Sequence, residues 1–208
     1  MKRILDAAAL AERLAAGEAA LLPTDTLPAL AAMPRSAGLL WELKRRPADK
    51  PLILMGASLK QLQELLGVPW RQEWLHRARS AWPGATTLVL PIEGPLCEAL
   101  NPGGRSLGLR VPASPQACEL LRLSGPLATT SANRSGAAAA LDADQASLAF
   151  PELALLGPLP WPCGSGRASE VLAWREPSRQ GEDPWSVLRS GSGTAGGVAE
   201  PVPEGRRG

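Results

Sequence analysis

Amphipathic stretches with helical spacing alternate with short apolar runs along most of this 208-residue chain. Helices are predicted at 6–16, 37–46, 58–66, 69–80 and 115–123, and strands at 19–23, 51–55, 86–91, 106–112, 126–132, 170–174 and 185–190. Alternation of this kind favours an α/β sheet with helices packed on it. Because the last two strands are expected to pair with each other, the sheet is predicted to be mixed rather than purely parallel.

Glycine, serine and proline mark the expected ends of the helices. Gly17 and Gly67 each follow a helical stretch, at the position where glycine commonly ends a helix. Ser36 is a candidate N-cap for the helix at 37–46. Pro69 suits the first turn of the helix that follows Gly67.

Length and composition favour one globular domain. Hydrophobic residues make up 45% and charged residues 20% of the chain, as in ordinary globular proteins. The net charge of +2 does not mark a nucleic-acid-binding protein, so a cationic site must be local. Residues 1–190 are expected to form the domain. Residues 191–208 have almost no bulky apolar side chains and are predicted to be a disordered tail.

The cysteines and the N-terminus favour a cytoplasmic protein. Cys97, Cys118 and Cys163 are odd in number and widely spaced, which argues against a zinc site or a disulfide framework. Charged residues interrupt the apolar positions of the first 22 residues, so this stretch is interpreted as an amphipathic helix rather than a signal peptide. No apolar stretch is long enough to span a membrane.

Several common catalytic motifs are absent from the sequence. There is no P-loop and no glycine-rich dinucleotide fingerprint after a strand; residues 103–108 precede a strand rather than a helix. The only histidine, His76, lies in a predicted helix, where a structural or solvent-facing role is favoured over a catalytic triad. No pair of carboxylates stands out for acid–base chemistry, and no residues are predicted as metal ligands.

Polar side chains instead cluster at the ends of predicted strands. Residues 23–26, Pro-Thr-Asp-Thr, directly follow a strand, and by themselves they are typical of a structural turn. Residues 129–136 carry hydroxyl and amide side chains after another strand, more than an Asx turn needs. Arg110 lies inside an apolar strand, and a buried arginine needs a carboxylate from the protein or from a ligand.

A cationic segment between the second helix and the next strand has two interpretations. Lys44 and Arg46 fall at a helix end, where cations suit the helix dipole. Lys50 comes just before a buried strand, and Pro47 and Pro51 stiffen the segment around it. A fixed group of lysine and arginine is also what a polyphosphate site requires.

Taken together and in order, these motifs resemble those of the Sua5/YrdC/YciO family. They are PTDT at 23–26, K-x-R-P-x-x-K-P at 44–51, WPG-x-x-T at 82–87, LRVP at 109–112 and TSAN-x-SG at 130–136. A late Ala168-Ser169-Glu170-Val171 extends the match, so the resemblance runs from about residue 4 to residue 190. It implies a twisted mixed sheet with flanking helices and a concave basic groove, in the short form without a second domain.

The resemblance also implies an activity, the synthesis of L-threonylcarbamoyladenylate from L-threonine, bicarbonate and ATP for the t6A modification of tRNA. Magnesium would accompany ATP. The implied partners are tRNA or double-stranded RNA on the basic groove and the proteins that transfer the threonylcarbamoyl group. The implied catalytic residues are Lys50 and Arg46; ATP would be bound by Lys44, Arg46, Lys50, Ser131 and Asn133, and threonine by Thr24, Arg110, Thr130 and Ser169.

The first motif departs from the family pattern and leaves alternatives open. Pro28 replaces the usual aromatic residue and Ala29 the usual glycine, and Ala85 and Ala168 replace prolines in two later motifs. Loss of the aromatic and the glycine would alter the threonine pocket. A YciO-like paralogue that binds nucleotide or RNA without efficient synthesis is therefore a second hypothesis. An RNA-binding module is a third; its RNA affinity would fall steeply with added salt.

Overall fold

The computed structural model describes residues 2–45, 50–179 and 181–191. Within these residues the helices are α1 (Ala7–Ala15), α2 (Gly38–Lys44), α3 (Leu59–Leu66), α4 (Gln72–Ala81), α5 (Pro95–Leu100), α6 (Pro115–Ser124) and α7 (Ala143–Ala149). The strands are β1 (Arg3–Leu5), β2 (Ala20–Leu22), β3 (Ala29–Ala32), β4 (Ile53–Met55), β5 (Thr86–Leu90), β6 (Leu107–Arg110), β7 (Leu127–Ser131), β8 (Ala154–Leu156), β9 (Glu170–Trp174) and β10 (Trp185–Arg189).

The strands of the described residues form one sheet, and it is mixed, as predicted. Their order is β1-β8-β2-β3-β7-β4-β6-β5-β9-β10. Four neighbouring pairs are parallel: β1 with β8, β8 with β2, β4 with β6, and β5 with β9. The other five pairs are antiparallel, including the predicted hairpin of β9 and β10.

The two faces of the sheet are covered to different extents. One face carries the larger core, in which side chains of α2, α3, α4, α5 and α7 pack on strands from β8 to β9. On the other face, α1 and α6 pack on β8, β2, β3 and β7. Beyond β7, on the same face, Ile53, Val89, Val171 and Ala173 are only half-buried. This partly uncovered area begins where α6 ends its contact with the sheet.

Of the four residues predicted to mark helix ends, Gly17 and Gly67 are confirmed, and the other two are wrong. Gly67 ends α3 in a left-handed conformation with φ of 61°. Ser36 is not the N-cap of α2, because it belongs to a 3₁₀ turn (Pro34–Ser36) and Ala37 takes the cap position without a side-chain bond. Pro69 is not in the first turn of a helix, since α4 begins only at Gln72.

Some elements were not predicted from the sequence: β1, β3, β8, α5 and α7. No helix in the described part of the chain is long and apolar enough to cross a membrane. Arg46 and the predicted tail after Gly191 lie outside the described residues.

Candidate functional site

The strand register brings five of the nine predicted site residues to one cleft of about 200 Å³. On β4, Ile53 pairs with Thr129 and Met55 pairs with Arg110, so these side chains share a face of the sheet. On β3, Ala29 pairs with Ser131. The cleft is lined by Thr24, Thr26, Leu27, Ala29, Pro51, Ile53, Met55, Arg110, Thr129, Thr130, Ser131, Ala168, Ser169 and Arg189. Four of the predicted threonine-binding residues, Thr24, Arg110, Thr130 and Ser169, are among them.

Arg110 organises one end of the cleft. Its side chain is buried, with 4% of its surface exposed. Nη2 donates to Oδ1 of Asp25 at 2.7 Å, Nη1 donates to the hydroxyl of Thr26 at 2.8 Å, and Nε donates to the carbonyl of Gly84 at 3.0 Å. Burial lowers the pKa of Arg110, and the Asp25 carboxylate acts in the opposite direction. The buried charge thus has its counter-ion within the protein.

A directed chain of hydrogen bonds runs from Arg110 through the first motif. The Thr24 hydroxyl donates to the carbonyl of Leu27 at 2.7 Å, so in its 2.9 Å bond with the Thr26 hydroxyl it must be the acceptor. The Thr26 hydroxyl therefore accepts from Arg110 and donates to Thr24. The turn predicted at 23–26 is both a structural turn and a wall of the cleft.

A glycine that sequence reasoning did not single out holds this turn in place. A Cβ on Gly164 would lie 2.2 Å from the carbonyl oxygen of Thr26. The backbone amides of Ser165 and Gly166 donate to the carbonyls of Asp25 and Thr26. The segment at 164–166 therefore packs directly against the first motif, and only glycine permits this approach at position 164.

The Arg189 guanidinium is a second positive charge that lines the cleft. Its Nε donates to the carbonyl of Ser169 at 3.0 Å and its Nη2 to the hydroxyl of Ser169 at 3.2 Å. Among the described residues no carboxylate forms an ion pair with it. Burial lowers its pKa, and its charge also contributes to lowering the pKa of Arg110. Of the two guanidinium groups, only that of Arg110 has a carboxylate partner among the described residues, which suits an anionic ligand.

Of the other predicted residues that the structure describes, Lys44, Lys50 and Asn133 do not line the cleft but adjoin residues that do. Lys44 is buried at the end of α2, and its ammonium group bonds to Ser131, the last residue of β7, and to Asn133 just after it. Lys50 has an exposed side chain, and its carbonyl accepts a bond of 3.0 Å from the indole of Trp41. This bond fixes the backbone of Lys50 next to Pro51, which lines the cleft.

The two substituted residues of the first motif, Pro28 and Ala29, lie next to the cleft and in its lining, respectively. Pro28 is buried, and its carbonyl accepts the amide of Ala132 at 2.9 Å. Ala29 begins β3 and lines the cleft. His76, in contrast, is an exposed residue of α4 and does not line the cleft.

The fold and the site define an α/β protein whose cleft suits a small anionic ligand, with hydroxyl groups and a surplus guanidinium at one end. The chain belongs to the Sua5/YciO/YrdC family, since the family model, described as "Telomere recombination", matches residues 12–191. The predicted family is therefore confirmed.

Two relatives carry the same name, threonylcarbamoyl-AMP synthase. The protein from Bacillus subtilis strain 168 is 37% identical over 142 residues, which are 64% of this chain and 39% of the relative. The protein from Pseudomonas putida strain GB-1 is 34% identical over 133 residues, which are 62% of this chain and 71% of the relative. The matched part thus spans well under half of the first relative's length.

Solved structures have the same fold. P. abyssi Sua5 complexed with L-threonine superposes with a TM-score of 0.79 at 27% identity, over 92% of this chain and 57% of that one. E. coli YciO superposes with a TM-score of 0.75 at 19% identity, over 93% of this chain and 98% of that one, and this likeness concerns the fold alone.

Proposed function

We propose that this chain is a nucleotidyltransferase that makes L-threonylcarbamoyladenylate from L-threonine, bicarbonate and ATP and releases diphosphate. The observation that carries the proposal is the Arg189 guanidinium, which has no carboxylate partner among the described residues, in a hydroxyl-lined cleft. A substrate carboxylate would supply the anion that this guanidinium lacks. The name shared by the relatives and the L-threonine complex of Sua5 support the same function.

In the proposed reaction the protein positions the reactants and supplies positive charge, and it contributes no nucleophile. The threonine amine and bicarbonate form a carbamate with loss of water. A carbamate oxygen then attacks the α-phosphorus of ATP, and diphosphate leaves. Threonine would occupy the end with Thr24, Arg110 and Ser169, and the phosphates would lie toward Lys50, Arg46 and Ser131. Holding the two reactants in line and balancing the developing negative charge supply the rate enhancement.

Magnesium would enter bound to the phosphates of ATP. It binds readily through phosphate oxygens and water, with few protein ligands. Asp25, the carboxylate nearest the cleft's arginines, is engaged by Arg110, and no group of three His, Cys, Asp or Glu among the described residues could hold a metal ion. The donor set of the cleft therefore suits a metal that arrives with the nucleotide. The t6A pathway, with tRNA and transfer proteins as downstream partners, follows from the product.

Diphosphate release tests the proposal directly. The purified protein is assayed with ATP, magnesium and bicarbonate, with and without L-threonine. We expect release that depends on threonine, that Lys50→Ala abolishes, and that Lys60→Ala, which changes an exposed lysine of α3, leaves intact. ATP binding without diphosphate release would instead favour the YciO-like paralogue. The substitutions at Pro28 and Ala29 support that alternative.

A further inference from the structure

The ammonium group of Lys44 is directed into the protein and not into open space. Lys44 is the last residue of α2, and only 2% of its surface is exposed. Its Nζ lies 2.6 Å from the carbonyl oxygens of both Ser131 and Asn133, and 3.0 Å from Oδ1 of Asn133. An ammonium has three N–H donors, and these three acceptors all belong to Ser131, the last residue of β7, and to Asn133.

The side chain of Asn133 is equally engaged. Its Oδ1 accepts from Lys44 and from the Ser131 hydroxyl at 2.6 Å. Its Nδ2 donates to the carbonyls of Arg134 at 3.0 Å and Ala137 at 2.7 Å. A carboxamide offers two acceptor sites and two donors, so all four are used within the protein.

Backbone and arginine bonds tie the same two segments together. The amide of Ser135 donates to the carbonyl of Lys44 at 2.9 Å. The Arg134 guanidinium donates to the carbonyl of Leu43, one residue earlier. The end of α2 and the segment from Ser131 to Ser135 are therefore one connected unit, and Ser131 brings that unit to the cleft.

We infer that Lys44 and Asn133 are positioning residues that shape the nucleotide end of the cleft and do not contact the phosphates. A phosphate oxygen could bind either side chain only by displacing one of these hydrogen bonds and leaving a carbonyl or hydroxyl without its protein partner. Contact with ATP from this unit falls instead to Ser131, and the cationic contact falls to Lys50, whose side chain is exposed. This inference rests on the proposed function, because it concerns the ATP end of the site.

A double-mutant cycle on MgATP affinity tests the inference. Lys44→Met and Asn133→Ala are each expected to weaken MgATP binding about tenfold, because each loosens the same segment. The double variant is expected to bind no more weakly than the weaker single variant, since both changes break one unit. When Lys44→Met is combined with Lys50→Ala, the two fold-changes in the Kd for MgATP should instead multiply. If the methionine variant does not fold, Lys44→Gln takes its place, because glutamine keeps two donors for the carbonyls.

The salt dependence of MgATP binding provides a second readout that a structural role does not change. Lys50→Ala should flatten the dependence of Kd on salt, whereas Lys44→Met should leave its slope near that of the wild type. Multiplied effects in the Lys44–Asn133 cycle, or a flattened slope for Lys44→Met, would show that Lys44 contacts the phosphates and would overturn the inference.

The same cycle measured by urea unfolding separates this inference from the proposed function. Failure of the wild type to bind MgATP would contradict both the proposed function and the nucleotide part of the inference. Coupling between Lys44 and Asn133 in the free energy of unfolding would still establish that one residue acts through the other. Independent effects on unfolding would contradict that link even in a protein that binds ATP.

Discussion

At the scale of single residues, the cleft is defined by an imbalance of charge. Arg110 is buried and neutralised by Asp25, whereas Arg189 is held by uncharged groups of Ser169. Arg189 is an exposed residue that keeps contact with solvent, and the partial burial of its guanidinium lowers its pKa. A carboxylate ligand would restore the balance, which makes Arg189 the residue most sensitive to the charge of the ligand.

We expect Arg189→Met to raise the KM for threonine in diphosphate release by about 10- to 100-fold, the range for one lost hydrogen bond to a charged group. Methionine keeps an unbranched apolar side chain and removes all the donors. The KM for ATP should change much less, because in the proposed reaction the phosphates are bound by Lys50 and Ser131 rather than by Arg189. Steady-state kinetics with each substrate varied in turn measures both constants.

Arg175→Met is the matched control, because Arg175 is exposed just after β9 and does not line the cleft. It should leave both constants within about twofold of the wild type, as surface substitutions generally do. An Arg189→Met enzyme with an unchanged KM for threonine would show that the substrate carboxylate binds elsewhere.

Much of the site could be predicted from sequence, and the exceptions have identifiable reasons. An arginine within an apolar strand predicted a buried ion pair, but Asp25 lies 85 positions away, so its identity required the fold. Arg189 was missed because it becomes part of the cleft only through the pairing of β10 with β9, which places it opposite Val171. Gly164 was missed because its importance depends on a close approach between segments distant in sequence.

At the scale of secondary structure elements, local signals such as a cap residue only partly identify where helices begin, because the predicted cap Ser36 caps no helix. The Ser58 hydroxyl accepts the amide of Gln61 at 3.1 Å and caps α3. Elements without such signals escaped prediction. β3 is Ala-Leu-Ala-Ala, and alanine has little preference for strands, so its pairing with β2 and β7 decides its conformation. The strands β1 and β8 have only three residues each, too few for a clear pattern.

Two serines that look alike in sequence should differ in their effect on stability. Ser58→Ala removes the cap of α3 and is expected to lower the free energy of unfolding by about 1 kcal/mol. Ser36→Ala is the control. Ser36 lies in a 3₁₀ turn and caps no helix, so the loss should be below about 0.5 kcal/mol. Urea unfolding followed by circular dichroism measures both. Equal losses would contradict the assignment of the cap to Ser58 alone.

At the scale of the whole molecule, the position of the cleft follows from uneven coverage of the sheet. The larger core covers one face, but α1 and α6 cover only part of the other. Met55 packs in the smaller core and also lines the cleft, so it marks the border between the covered and open areas. A site at such a border has a rigid floor from the strands and remains open to ligands from one side.

The same architecture predicts a gradient of backbone stability across the sheet. β7 and β4 lie near the middle and pair on both sides, whereas β10 pairs only with β9 and carries a register shift between Val187 and Arg189. Central strands open only with global unfolding, while an edge strand opens locally at lower free energy. Hydrogen exchange measured by mass spectrometry should therefore show amides of β7 and β4 protected at least about 100-fold longer than those of β10. The exposed Val187 and Leu188 on β10 offer no burial that would slow its opening. Equal protection of β10 and β7, if lost on dilution, would reveal that another copy of the chain covers this edge.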